Sequence, residues 1–279
     1  MPKITRRRFF GAAAFSAAAT CFYTWRIEPH WVEFVRRPLP IEKLPPELHG
    51  KTLIQLSDLH IGWRVDDDYV IRQFRRVAEL KPDFLVITGD FISYRSAAEL
   101  DQVKRVLGYL PKGEIATTAI LGNHDYGKKW SEKEVADQIE TIVRDRGVDL
   151  LRNEARVVRG LQIAGLDDLW SPCFAPERAL NPLDPNRAGL VLCHNPDAAD
   201  LPIWGRYRGW ILSGHTHGGQ CKPPFLPPPM LPVKNRNYTA GEFALPGDRK
   251  LYINRGLGHL TRVRFNVRPE ITIFTLGSA

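Results

Sequence analysis

The stretch KTLIQLSDLH, residues 51–60, decides the fold. A short apolar run of strand length leads straight into Ser57-Asp58-Leu59-His60, a polar signature. The arrangement then recurs. FLVIT (84–88) leads into Gly89-Asp90, and IATTAIL (115–121) leads into Gly122-Asn123-His124-Asp125. Between these strands lie helical periods. Asp66 to Leu80 carries Val70, Phe74, Val77 and Ala78 on one face, and Ser96 to Tyr109 carries Leu100, Val103, Val106 and Leu107. Ser131 to Arg146 is a third helix, with Ser131 and Glu134 spaced as a capping box. Strands alternating with helices predict an α/β sheet built from crossover connections. Beyond residue 150 the rhythm changes to short, closely spaced strands at 155–159, 161–165, 189–193, 208–213, 250–254 and 270–275. A second sheet packed on the first is the natural way to bury them.

A chain of 279 residues is long enough for a sizeable core, and 43% hydrophobic with 25% charged residues is ordinary for a globular protein. Lys3, Arg6, Arg7, Arg8 and Arg26, set against Glu28, place half of the +8 net charge in the first 28 residues. The remainder is spread thinly, with no basic run interleaved with aromatics, so no nucleic-acid partner is expected. The N-terminus reads as an address. A basic start is followed by an apolar, alanine-rich stretch from Phe9 to Trp25, and Thr5-Arg6-Arg7-Arg8-Phe9-Phe10 resembles a twin-arginine export pattern. Residues 1–28 are therefore read as an export signal or membrane anchor, with cleavage and retention both open. The expected location is the bacterial inner membrane or beyond it, and the expected partners are the membrane and the twin-arginine machinery. Residues 29–49, with Pro38, Pro40, Pro45 and Pro46, are read as a linker, and 50–279 as one domain. KPPFLPPPMLP (222–232) reads as a stiff, partly extended loop, because proline fixes φ and cannot donate to a ladder. Its Phe225, Leu226, Met230 and Leu231 either offer an apolar surface or pack over a sheet.

The second half adds two more polar strand ends. LVLC (190–193) leads into His194, and LSGHTHGGQ (212–220) presents His215 and His217 among glycines. Glycines weaken strands and mark sharp bends, so the latter stretch is a loop that offers two imidazoles at once. Any one of these signatures is as well explained by a turn or a helix cap. Together, five strand ends each offering Asp, Asn or His form a constellation, because ligands of open α/β sheets bind at the carboxyl ends of strands. Cys21, Cys173, Cys193 and Cys221 show no CxxC spacing; Cys193 and Cys221 are read as packing beside the site.

Asp58-x-His60, Gly89-Asp90, Gly122-Asn123-His124-Asp125, His194 and Gly214-His215-x-His217 resemble the motif set of the calcineurin-like metallophosphoesterase superfamily. HTHGGQ followed by prolines, with Asn254-Arg255-Gly256-Leu257-Gly258, looks like its bacterial membrane-associated branch, which includes twin-arginine-exported phosphodiesterases and UDP-diacylglucosamine pyrophosphatases. The resemblance implies an α/β fold, a four-layer α/β/β/α sandwich of two packed mixed β-sheets flanked by helices. It implies two divalent metal ions, manganese, zinc or iron. One would be held by Asp58, His60, Asp90 and His217, the other by Asp90, Asn123, His194 and His215, with Asp90 bridging. A bridging hydroxide would attack a phosphodiester or pyrophosphate bond, with a lipid-linked substrate such as UDP-diacylglucosamine expected. The alternatives are a phosphomonoesterase and a non-catalytic metal-bound scaffold. His124 would serve the leaving oxygen. Asp125 either orients His124 or makes a turn, Arg255 either contacts the substrate phosphate or is a surface arginine, and Asp167-Asp168 is a structural turn. Ser93 has no expected bearing on metal binding.

Overall fold

The computed structural model describes residues 5–279; the basic residue Lys3 of the N-terminal address lies outside them. Twelve strands form two six-stranded mixed sheets. The first contains β1 (Glu33–Ile41), β2 (Thr52–Leu56), β3 (Phe84–Thr88), β4 (Ala116–Ile120), β5 (Asp149–Leu150) and β12 (Glu270–Ser278), in the order β1-β12-β2-β3-β4-β5. The second contains β6 (Glu154–Val158), β7 (Leu161–Gly165), β8 (Gly189–Leu192), β9 (Gly209–Ser213), β10 (Gly241–Leu245) and β11 (Arg249–Ile253), in the order β10-β11-β9-β8-β7-β6. β2, β3 and β4 run parallel, as do β7, β8 and β9.

Alternation along the strands sorts the core into layers, because successive side chains leave a strand on opposite faces. In β3, Phe84 and Val86 face inward and meet Leu161, Ile163, Leu190 and Leu212 of the other sheet. Leu85 and Ile87 face outward and meet Val70, Phe74 and Val77 of α2 (Asp67–Glu79). α3 (Ala97–Val106) and α4 (Lys133–Arg144) complete that helical layer with Val103, Val106, Ile139 and Val143. The outer face of the second sheet is covered more thinly. Val191, Ile211 and Ile253 pack there under Trp204, Tyr207 and the four-residue α5 (Glu177–Leu180).

Two local readings change. Glu33–Ile41, read as part of a linker, is the edge strand β1, paired in parallel with β12 over its whole length. Pro38 and Pro40 are tolerated there because an edge strand has one row of N–H groups with no ladder to feed. Ser131 and Glu134 make no capping box. α4 starts at Lys133 after Glu132, which makes no side-chain cap, and the capping box belongs to Ser96 and Glu99 of α3. The apolar N-terminal stretch forms α1 (Arg6–Phe22), none of whose residues is buried. Among the described residues, no helix is long and apolar enough to cross a membrane. Phe225, Leu226 and Met230 of the proline-rich loop are exposed and do not pack over a sheet.

Candidate metal centre

The carboxyl ends of β2, β3 and β4 meet those of β8 and β9 at one pole of the sandwich. Gln55 ties the sheets together there, donating from Nε2 to Thr88 Oγ1 and to Ser213 O, each at 3.0 Å. Every predicted ligand follows one of these strand ends, and all seven are buried. Asp58, His60 and His217 bring ligand atoms within 4.8 Å of one another, and so do Asp90, His194 and His215. Asp90 joins the groups, its Oδ2 lying 3.5 Å from His60 Nε2 and 3.3 Å from His194 Nε2. In the first group His217 Nε2 is 3.3 Å from Asp58 Oδ1 and 3.0 Å from His60 Nε2. In the second, His215 Nδ1 faces His194 Nε2 at 3.2 Å.

The donor set fits a pair of divalent cations. Mixed imidazole and carboxylate oxygen suits borderline ions rather than an all-oxygen calcium cage. Ring nitrogens turned on one another inside the protein gain from a shared cation. Burial pushes His60 and His217 well below the usual imidazole range and His215 down to about 3, so all three present neutral lone pairs at neutral pH. Burial opposes protonation of His194 too, but Asp90 beside it prevails and raises it well above that range. Burial also pushes Asp58 up to about 7, which marks a carboxylate short of positive countercharge. Both amide atoms of Asn123 are buried without a hydrogen-bond partner, as expected of an amide reserved for a ligand. Backbone strain marks the same residues. Asp58, His60, Asp90, His215 and His217 all hold positive φ, between 47° and 71°. A non-glycine residue there costs roughly 1–2 kcal/mol, and such strain gathers at functional sites.

Outer contacts set the rings. His194 donates from Nδ1 to Thr88 O at 2.7 Å, leaving Nε2 for the site. His215 donates from Nε2 to Pro232 O at 2.9 Å, which leaves Nδ1, the nitrogen that faces His194. Ser93, read as irrelevant to metal binding, is hydrogen bonded through Oγ to His60 Nδ1 at 3.1 Å and so orients a predicted ligand. His124 is half-buried at the edge of the centre, its ring centroid 5.0 Å from that of His60. Its backbone N–H donates to Asp90 Oδ1 at 2.9 Å.

One open reading closes. Asp125 does not orient His124. Its carboxylate accepts the backbone N–H groups of Asp90, Phe91, Ile92 and Gly122, at 2.8–3.2 Å, and so clamps the β3 and β4 ends together. Arg255 is half-buried and braced from two sides, its Nε donating to Glu270 and its Nη2 to Glu33 at 2.9 Å. The arginine that does support the centre is Arg264, which is fully buried. Its Nη2 donates to Arg255 O, Gly256 O and Gly258 O and lies 3.4 Å from His217 Nδ1. Gly258 N in turn donates to Asp58 O at 2.7 Å, so Arg264 holds the 255–258 loop against a ligand. The four cysteines form no disulfide, and Cys193 is a buried packing residue.

A two-sheet sandwich with paired aspartate and histidine clusters at converging strand ends is the build of a metal-dependent phosphoesterase. Residues 51–219 match the family model described as calcineurin-like phosphoesterase, and the chain belongs to that family. It is 32% identical to phosphodiesterase YaeI of Escherichia coli over 98% of this chain and 99% of that one. It is also 32% identical to the uncharacterized metallophosphoesterase YkuE of Bacillus subtilis, over 100% of this chain and 99% of that one. UDP-2,3-diacylglucosamine pyrophosphatase LpxG of Chlamydia trachomatis is 28% identical over 92% of this chain and 93% of its own.

Proposed function

We propose that the protein hydrolyses a phosphodiester or pyrophosphate bond of a lipid-linked substrate, using two divalent ions held by the seven predicted ligands. The observation that carries this reading is the placement of Asp90 Oδ2 between His60 Nε2 and His194 Nε2, where one carboxylate serves both groups. Divalent ions held by these residues would supply Lewis-acid polarisation of the phosphoryl oxygens and a more acidic water. The chain's own residues do the rest. Asp58 and Asp90 supply negative charge against the cations, and the neutral imidazoles of His60, His215 and His217 supply lone pairs without adding positive charge. His124, outside both clusters and open on one side, stands at the edge where a leaving oxygen departs and gives it a proton or a hydrogen bond. Exclusion of water falls to the buried walls around the site.

The lipid-linked reading draws support from the diacylglucosamine substrate in the name of the chlamydial relative and from the exposed Phe225, Leu226 and Met230 of the proline-rich loop. His215 donates to Pro232 O at the far end of that loop, which tethers the loop to the centre. A membrane location reached through the twin-arginine pattern agrees with a solvent-exposed α1 that carries Arg6, Arg7 and Arg8. Manganese, zinc and iron all suit the donor set, and metal analysis of the purified protein distinguishes them.

The test combines metal content with turnover of bis(4-nitrophenyl) phosphate. The wild type binds two divalent ions per chain and turns over; chelation abolishes turnover and readdition restores it. His124→Ala keeps both ions and loses about 10²–10⁴-fold in kcat. Two bound ions without turnover in the wild type would leave a scaffold and end the hydrolase reading.

A further inference from the structure

An arc of aromatic rings lines one side of the centre, and two of its members have no part in the ligand scheme. From His124 the next ring is Trp130, with centroids 6.3 Å apart; Trp170 lies 4.7 Å beyond, and its other edge meets His215 at 4.6 Å. The two tryptophans come from loops in opposite halves of the chain. We propose that Trp130 and Trp170 form a stacking platform for a planar ring carried by the phosphate ester. The protein would then favour nucleotide-like or aryl esters over purely alkyl ones. This inference rests on the phosphoesterase reading above and names the substrate class of that site.

The platform is held in place rather than left to chance. Lys129 and Trp130 both have positive φ, 57° and 58°. For a bulky residue this is a genuine outlier that the surrounding structure must enforce. The distortion turns the Trp130 ring onto Trp170. Trp170 is fixed by its backbone N–H, which donates to the buried Asp168 at 2.8 Å. The two loops are braced against each other. Tyr126, four residues before Trp130, donates its hydroxyl to Asp167, and Arg152 donates to both Tyr126 Oη and Asp167. The Asp167-Asp168 pair, read from the sequence as a structural turn, thus ties the two loops together and sets Trp170.

The chemistry of the ligand follows from the rings. They are tilted by only 31°, so a third flat ring continues the stack on the open side. Trp130 is 37% exposed, which leaves a face available. Lys128 and Lys129, both exposed, directly precede Trp130 in the chain, and their positive charge favours a ring that carries phosphate over an uncharged acyl chain. The aliphatic exposed residues, Leu226 and Met230, belong to the other loop.

Binding of uridine 5′-monophosphate and ribose 5-phosphate to the metal-loaded protein, measured by calorimetry, tests the platform. The two probes share the phosphate and sugar and differ by the flat ring. The wild type prefers the uridine nucleotide by on the order of 10-fold or more. Trp130→Ala, with metal content checked as equal to wild type, brings that affinity ratio to near one, and Trp130→Phe restores most of it. Because Trp130 is partly exposed and touches no predicted ligand, its truncation spares the fold. A ratio near one in the wild type, or a ratio that survives Trp130→Ala, overturns the inference. Loss of bis(4-nitrophenyl) phosphate turnover with the binding ratio intact would sink the hydrolase reading and leave the platform standing.

Discussion

At the residue scale, burial makes histidine and arginine behave differently from their surface forms. Five of the predicted ligands are held in strained backbone, and Arg264 is buried with its guanidinium spread over four carbonyls, pushed down to about 10 by burial. His259 belongs to the same wall but not to the metal set. It is buried, donates from Nε2 to Arg64 O at 3.1 Å, and has no partner on Nδ1. Burial lowers its pKa from 6.5 to about 4. A pKa depressed in the folded state means the unfolded chain takes up its proton first as pH falls. The stability tied to neutral His259 is therefore complete above about 6.5 and lost as pH falls toward 4, by up to about 3 kcal/mol. His259→Gln cannot titrate. Urea midpoints at pH 7.5 and 4.5 should show the stability gap between wild type and variant narrowing by about 2–3 kcal/mol at the lower pH. A gap that ignores pH would refute the assignment.

At the element scale, the centre exists because strand ends come close enough for their loops to touch. Gly214, which follows β9, sits so near β2 that an added Cβ would overlap Ser57 Oγ and Asp58 Oδ2. Gly214→Ala therefore forces the second sheet's ligand loop away from the first sheet's. The expected cost is about 1–3 kcal/mol, the range for overpacking. Thermal unfolding should drop and divalent ions per chain should fall below two; no change in either would show that the sheet ends are freer than their spacing indicates. What was legible in the sequence follows from the same geometry. β3 is an almost wholly apolar run and β2 and β4 are largely buried on both faces, and the ligands lie two to four residues past their strand ends, so motif and element could be read together. β1 was hidden by Pro38 and Pro40, which are strand-breaking everywhere except at an edge. β10 carries only a half-buried alternation at the other sheet's edge. Arg264 was illegible for another reason. In Thr261-Arg262-Val263-Arg264 nothing local separates a buried arginine from an exposed one, and its burial comes from loops that meet only in the fold. Trp130 was hidden likewise, since its partner Trp170 lies forty residues away in sequence.

At the scale of the whole molecule, the N-terminal helix and the catalytic domain do not meet at a flexible joint. α1 buries nothing, but the chain packs as soon as that helix ends. Thr24 O accepts the N–H of Arg264 at 3.0 Å, and the buried Glu28 accepts the N–H of Val267 at 2.6 Å. His30 sets its ring 5.1 Å from Tyr69, and Glu33 pairs with Arg255 and Arg268. Residues 24–33 thus brace the segment that carries Arg264, and through it the loop that rests on Asp58. Two truncations separate address from brace. A chain beginning at residue 23 should keep its stability within about 0.5 kcal/mol, as expected when only exposed surface is removed. A chain beginning at residue 32 should lose at least about 1–3 kcal/mol from the orphaned Val267 N–H alone, and its metal content should fall with it. Equal thermal midpoints for the two truncations would show that the brace is dispensable. The same geometry sorts possible cuts in the N-terminal stretch: one near the small residues Ala17-Ala18-Ala19 would keep Thr24 and Glu28, whereas one beyond His30 would remove the support beneath the metal centre.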